Sequence, residues 1–210
     1  MHERSCVIQH PAHASRLVLL FHGVGSTAAN LAPLGEAVAK AFLDAAVVSV
    51  DAPHASNLGS GREWFSVVGI TEQDRPARIA QAMPLFQQCI EHWQRQTGLA
   101  AGQTVLVGFS QGAIMSLEFT QTGDRLLATR VVSLAGRFAA PVRSVNPDLN
   151  YHLIHGAQDR VVAPHFAQQA SAQIAALGGA VTLDMLEGLG HSIDARELRL
   201  LLGYLGDNGQ

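Results

Sequence analysis

The chain has 210 residues, 48% of them hydrophobic, enough for one sizeable core. Only 15% of residues are charged and the net charge is -3, with no acidic or basic block, which argues against nucleic acid or an anionic membrane surface as the partner. The longest apolar runs, such as Leu17-Val18-Leu19-Leu20-Phe21, fall far short of the roughly 20 residues that cross a bilayer.

The opening stretch, MHERSCVIQHPAH, lacks the basic start, apolar centre and small-residue cleavage site of a signal peptide, so a cytoplasmic protein is expected. Cys6 and Cys89 have no CxxC spacing and read as free thiols rather than a disulfide framework. No repeat, low-complexity tract or linker divides the chain, which predicts one domain over 1–210. Along it, β-branched apolar runs predict strands at 6–9, 16–21, 46–50, 103–108, 129–134, 151–154 and 181–186. Several are hydrophobic throughout rather than alternating, as strands covered on both faces must be. Helical spacing predicts helices at 28–41, 72–97, 111–120, 164–177 and 194–205. Thr71 or Asp74 would cap the second helix and Pro76 fits its first turn, while Pro84 should kink or split it. Strand–helix alternation of this kind predicts an α/β fold with a mostly parallel sheet, whose ligands bind beyond the carboxyl ends of the strands.

The segment TVLVGFSQGAIM, from Thr104 to Met115, carries the chemistry. An apolar strand reaches Gly108-Phe109-Ser110-Gln111-Gly112 and a helix follows, which is the setting a G-x-S-x-G elbow requires. A sharp strand-to-helix turn strains its tip and crowds its neighbours, so glycine at 108 and 112 has a steric reason. Ser110 would then stand next to a helix N-terminus, where free N–H groups favour developing negative charge. A serine hydroxyl needs a base, and the base an orienting acid, in the chain order Ser, Asp or Glu, His. Asp148, Asp159, Asp184 and Asp194 are the candidate acids. Asp159 is preferred, because it follows a strand in a Gly-containing loop, YHLIHGAQDRVV. Of ten histidines only His165 and His191 lie beyond it, and His191, in the glycine-flanked loop LEGLGHSID after the last strand, is the preferred base. Two backbone N–H groups should hold the oxyanion: that of Gln111 and one from the early loop LLFHGVGS, assigned to Val24 with Gly23 as the fallback. His22 reads as structural.

Metal catalysis is not indicated, since HExxH is missing and His152 and His155, three apart on a strand, face opposite sides. No cofactor is expected. The longest irregular segment, 51–70, should rise beside the active-site edge, and Trp64 and Phe65 either wall an acyl groove there or fill core space beneath it. Arg137 would either neutralise an anionic substrate group or form a salt bridge.

The motifs LLFHGVGS, GREWFSVVGI, GFSQGAIMSLE, HGAQDRVV and GLGHSID, in this order, resemble those of the phospholipase/carboxylesterase family of α/β-hydrolases, which includes acyl-protein thioesterases and small bacterial serine esterases. The resemblance runs from about Arg16 to Leu205. It implies an α/β-hydrolase fold of about seven strands with helices on both faces and no cap domain. It also implies Ser110 as nucleophile, Asp159 as acid, His191 as base and oxyanion donors at Val24 and Gln111. The expected activity is hydrolysis of small-molecule carboxylic esters through an acyl-enzyme, with thioester or lysophospholipid cleavage as the substrate alternative and homodimerisation compatible with it. A non-catalytic binding protein on the same scaffold is the rival reading. Three positions depart from the family pattern: Ser26 and Ser66 stand where the family often has Asp, and Arg137 where thioesterases tend to be apolar. The GREWFSVVGI stretch and Arg137 resemble the bacterial esterase branch more than the eukaryotic thioesterases.

Overall fold

A computed structural model describes residues 5–122 and 125–206. The elements in chain order are β1 (Cys6–Gln9), β2 (Arg16–Phe21), α1 (Ala28–Ala41), β3 (Ala45–Val50), β4 (His54–Ala55), β5 (Arg62–Glu63), α2 (Arg75–Thr97), β6 (Thr104–Phe109), α3 (Gln111–Phe119), β7 (Arg130–Leu134), β8 (Asn150–Gly156), α4 (His165–Ala176), β9 (Ala180–Leu186) and α5 (Ala195–Gly206). Seven strands form one sheet in the order β1-β3-β2-β6-β7-β8-β9. Only β1 is antiparallel to its neighbour.

Both faces of this sheet are covered, which is why its strands read as unbroken apolar runs. In β2, Leu17, Leu19 and Phe21 face one layer, while Val18 and Leu20 face the other. The first layer holds the apolar sides of α2, α3 and α4, including Phe86, Ile90, Met115 and Ile174. The second holds those of α1 and α5, including Leu34, Val38, Leu201 and Leu205. Among the described residues no separate cap covers the carboxyl ends of the strands.

The predicted strands and helices are all present, with ends shifted by a few residues. Two details differ from expectation. Helix α2 runs unbroken through Pro84. A proline inside a helix costs about 3 kcal/mol, and the buried residues on both sides of it, Met83, Phe86, Cys89 and Ile90, offset that cost. Segment 51–70 is not wholly irregular, because β4 and β5 pair as a small antiparallel ribbon. At the start of α2, Asp74 is the capping residue, and it exchanges side-chain-to-backbone hydrogen bonds with Thr71.

Candidate active site

The loops leaving β2, β3, β6, β7, β8 and β9 all open at one edge of the sheet. At the centre, Ser110 has φ 52° and ψ −114°, in the left-handed half of backbone space that a non-glycine residue rarely occupies. The turn is held from both sides. The Ser110 N–H donates to the Leu134 carbonyl at 3.0 Å, and helix α3 begins at the next residue. A methyl group on Gly112 would lie 2.1 Å from the Phe21 carbonyl oxygen, and one on Gly108 would lie 2.4 Å from the Ala113 nitrogen. The helix therefore sits against β2 and β6 at a distance that only glycine allows.

Three side chains from separate loops meet here. His191 Nε2 lies 2.9 Å from Ser110 Oγ, and His191 Nδ1 lies 2.7 Å from Asp159 Oδ2. Asp159 is almost fully buried and uses its other oxygen to accept the Val161 and Val162 N–H groups at 2.8 and 2.9 Å. Burial alone would raise its pKa. The His191 hydrogen bond and the two backbone donors outweigh that and leave it below the ordinary 3.8. The carboxylate is thus ionised at neutral pH and draws the imidazole proton to Nδ1. Nε2 is left with a lone pair facing the serine hydroxyl. His155, also buried, donates from Nε2 to the Val162 carbonyl at 2.8 Å and lies 3.4 Å from Asp159 Oδ2. Desolvation lowers its pKa, so it is neutral and adds no charge beneath the acid.

The other acids and the second histidine lie elsewhere. Asp184 accepts the Tyr204 hydroxyl, Asp194 pairs with Arg196, and the Asp148 N–H bonds the Asn146 side chain. His165 is exposed at the start of α4, against Phe166.

The early loop closes the site from the opposite side. A methyl group on Gly23 would lie 3.2 Å from Ser110 Cβ, so this backbone passes directly over the serine. His22 is buried, donates from Nδ1 to the Gly23 carbonyl at 2.7 Å and accepts the Ala52 N–H at Nε2 at 3.1 Å. Desolvation holds its pKa down, in keeping with a neutral ring. The carbonyl it grips belongs to the same peptide plane as the Val24 N–H, which must point the opposite way. His22 is structural, as its sequence setting suggests, but what it orients is the peptide carrying Val24. The Gln111 N–H is the first of α3 and has no partner within the helix.

Trp64, Phe65 and Arg137, for which the sequence leaves a substrate contact and a structural role open, are all buried. Trp64 is 1% exposed and packs edge-on against Phe86, with ring centroids 5.0 Å apart, and against Phe21. Phe65 is buried in the same cluster. The burial of both and the edge contacts of the indole favour the core-filling alternative for these two. Arg137 is also buried. It donates from both terminal nitrogens to Glu72, at 3.2 and 2.6 Å, and lies 3.5 Å from the centre of the Phe166 ring. Its guanidinium ties two loops together. The residue whose part the sequence reading missed is Gln111, whose buried side chain accepts the Trp64 N–H and donates to the Phe65 carbonyl, both at 2.8 Å.

A mostly parallel sheet, a strained serine at its central elbow and a histidine and aspartate from later loops define an α/β-hydrolase. Solved structures agree. Esterase PE8 superposes with a TM-score of 0.81 at 29% identity, covering 91% of this chain and 92% of that one. The Bacillus cereus carboxylesterase gives 0.79 at 15% identity, over 95% and 92%, and at that identity shows the fold alone. The chain belongs to the phospholipase/carboxylesterase family, whose sequence profile matches residues 2–207. Esterase YpfH of Escherichia coli K12 is 43% identical over 95% of this chain and 86% of its own length. An acyl-protein thioesterase 1 homologue of Dictyostelium discoideum is 25% identical over 68% and 66%.

Proposed function

We propose that this carboxylic-ester hydrolase works through an acyl-enzyme formed on Ser110, with residues 1–210 acting as one catalytic domain. His191 Nε2 takes the hydroxyl proton as Ser110 Oγ attacks the acyl carbonyl, and Asp159 stabilises the imidazolium. The Val24 and Gln111 N–H groups hold the oxyanion. The intermediate collapses as His191 gives its proton to the departing alcohol or thiol. Water, deprotonated by the same imidazole, then releases the acid and frees the serine. The observation that carries this reading is the unbroken Ser110–His191–Asp159 hydrogen-bonded line, at 2.9 and 2.7 Å, on a strained elbow.

The substrate is a small carboxylic ester. The thioesterase relative supports thioesters as the second substrate class, since a thiolate is the easier leaving group for the same intermediate. A cytoplasmic setting fits the two unpaired cysteines. A fluorophosphonate probe should label the wild type once per chain, and Ser110→Ala should abolish labelling and lower kcat by about 10³-fold or more. Retained ester hydrolysis in that variant would refute the mechanism. A rate series on aryl esters and acyl-thioesters of increasing acyl length then separates the two substrate classes.

A further inference from the structure

The geometry points to residues 61–65 as a strap that fixes the two oxyanion donors relative to each other, with Gly61 and the Gln111 side chain as positioning residues. This inference rests on the donor assignment to Val24 and Gln111. Those N–H groups come from loops far apart in the chain, and they act together only if both lie about 2.7–3.1 Å from one oxygen. The strap is bonded to both.

On the Val24 side, the Arg62 N–H donates to the Ser26 carbonyl at 2.7 Å and the Gly25 N–H donates to the Arg62 carbonyl at 2.9 Å. This short antiparallel bridge grips the oxyanion loop immediately after Val24. Its closeness depends on residue 61, because a methyl group on Gly61 would lie 2.1 Å from the Gly25 oxygen and 2.5 Å from that of Ser26. The Arg62 guanidinium anchors the same point by donating to the carbonyls of Ala52 and Pro53 beyond β3. Two residues later, at Trp64, the strap reaches the nucleophile side. There the Gln111 amide bridges the bend, accepting from Trp64 N–H and donating to the Phe65 carbonyl. Between the two fastenings, the Trp64 ring is wedged against Phe21, the last residue of β2, from which the oxyanion loop departs. Gln111 thus offers its backbone N–H to the oxyanion and its side chain to the element that holds the opposite donor.

The test uses the whole chain and the variants Gly61→Ala, Gln111→Met and their combination, each checked for folding by thermal melting. kcat and KM are measured on p-nitrophenyl butyrate, and a short alkylboronic acid serves as a tetrahedral mimic. Each single change should lower kcat about 10–100-fold, and KM should stay within about two-fold. The boronate affinity should fall in proportion to kcat/KM, which a loss of general stability would not produce. The double variant should lie within about three-fold of the weaker single, because both changes release one strap. Ser60→Ala, on the exposed tip of the loop, should change neither quantity. If Gly61→Ala does not fold, Gln111→Met and Gln111→Leu carry the same readouts. The strap is overturned if the single variants keep kcat and boronate affinity while Ser110→Ala is inactive, or if the two losses multiply. A wild type that does not bind the boronate, or an active Ser110→Ala, overturns the donor assignment and the strap with it.

Discussion

The elbow at 108–112 and the loop at 51–70 meet at Gln111, yet they hold their shapes by different means. At the elbow, position follows from close packing: Phe21 at the end of β2 leaves no space at Gly112 for even one methyl group, and the start of α3 leaves none at Gly108. In the loop, the paired strands β4 and β5 have two residues each, and order comes from discrete polar contacts made by Arg62 and Gln111 and from one buried indole. Packing acts through many small contacts and is insensitive to charge. Polar fastening depends on a few groups, each of which can be removed singly. The nucleophile is held by the first kind of order, and its oxyanion partners by a mixture of the two.

Removing the indole strikes the one point where the loop depends on packing. Trp64→Ala should destabilise the protein by about 3–5 kcal/mol, a large part of total stability, read as a fall in the denaturation midpoint. A preserved midpoint combined with an altered acyl-length preference would restore Trp64 as a groove wall. At the elbow, Gly112→Ala should cost about 3 kcal/mol and lower kcat as well, because relief of the contact with Phe21 moves the helix that begins next to Ser110. If the variant melts like the wild type and keeps its kcat, the elbow is more compliant than its packing implies.

These two regions also show what could be read from residues alone. The G-x-S-x-G turn was legible because its steric demand is local, and both required neighbours sit within three positions of the serine. Asp159 and His191 were legible because polar residues that follow apolar strands must surface at one edge of a parallel sheet. The strands themselves stood out because both faces are buried. Gln111 was read only for its backbone N–H, since nothing in the sequence shows which distant main-chain atoms a buried amide will meet. Trp64 fits groove and core equally well until Phe21 and Phe86 are seen on either side of it. The partner of Arg137 is 65 residues away and carries no periodic signal.

The loop carrying His191 allows the comparison to be sharpened by pH. Just after that loop, the Asp194 N–H donates to Glu197 and the Glu197 N–H donates to Asp194, at 3.3 and 3.2 Å, a reciprocal cap at the start of α5. Glu197 is fully buried, its second oxygen Oε1 has no hydrogen-bond partner among the described residues, and burial pushes its pKa from 4.5 up to about 7. The folded state therefore holds a proton that the unfolded chain releases at lower pH. This contribution is fully present below pH 4.5, declines as pH rises towards about 7 and is absent above it. Over that window the wild type should lose about 3 kcal/mol relative to Glu197→Gln, measured by parallel denaturation series. Superimposable pH profiles for the two proteins would show that this loop, like the elbow, is held by packing alone.

The smallest effect belongs to the tie between Arg137 and Glu72. Glu72 is well exposed, so its charge is screened, and Glu72→Gln should cost only about 0.5 kcal/mol. Arg137→Met should cost about 1 kcal/mol, because it also removes the stack on Phe166 and the bond to the Phe138 carbonyl. The kinetic pattern is the sharper discriminator. With the guanidinium committed to Glu72 and Phe166, Arg137→Met should change kcat/KM by the same small factor for neutral esters and for esters bearing a free carboxylate. A selective loss on the carboxylate esters would mean that Glu72 yields its place to the substrate. The tie would then be an exchangeable contact, and a third kind of order would border the serine, one that substrate itself completes.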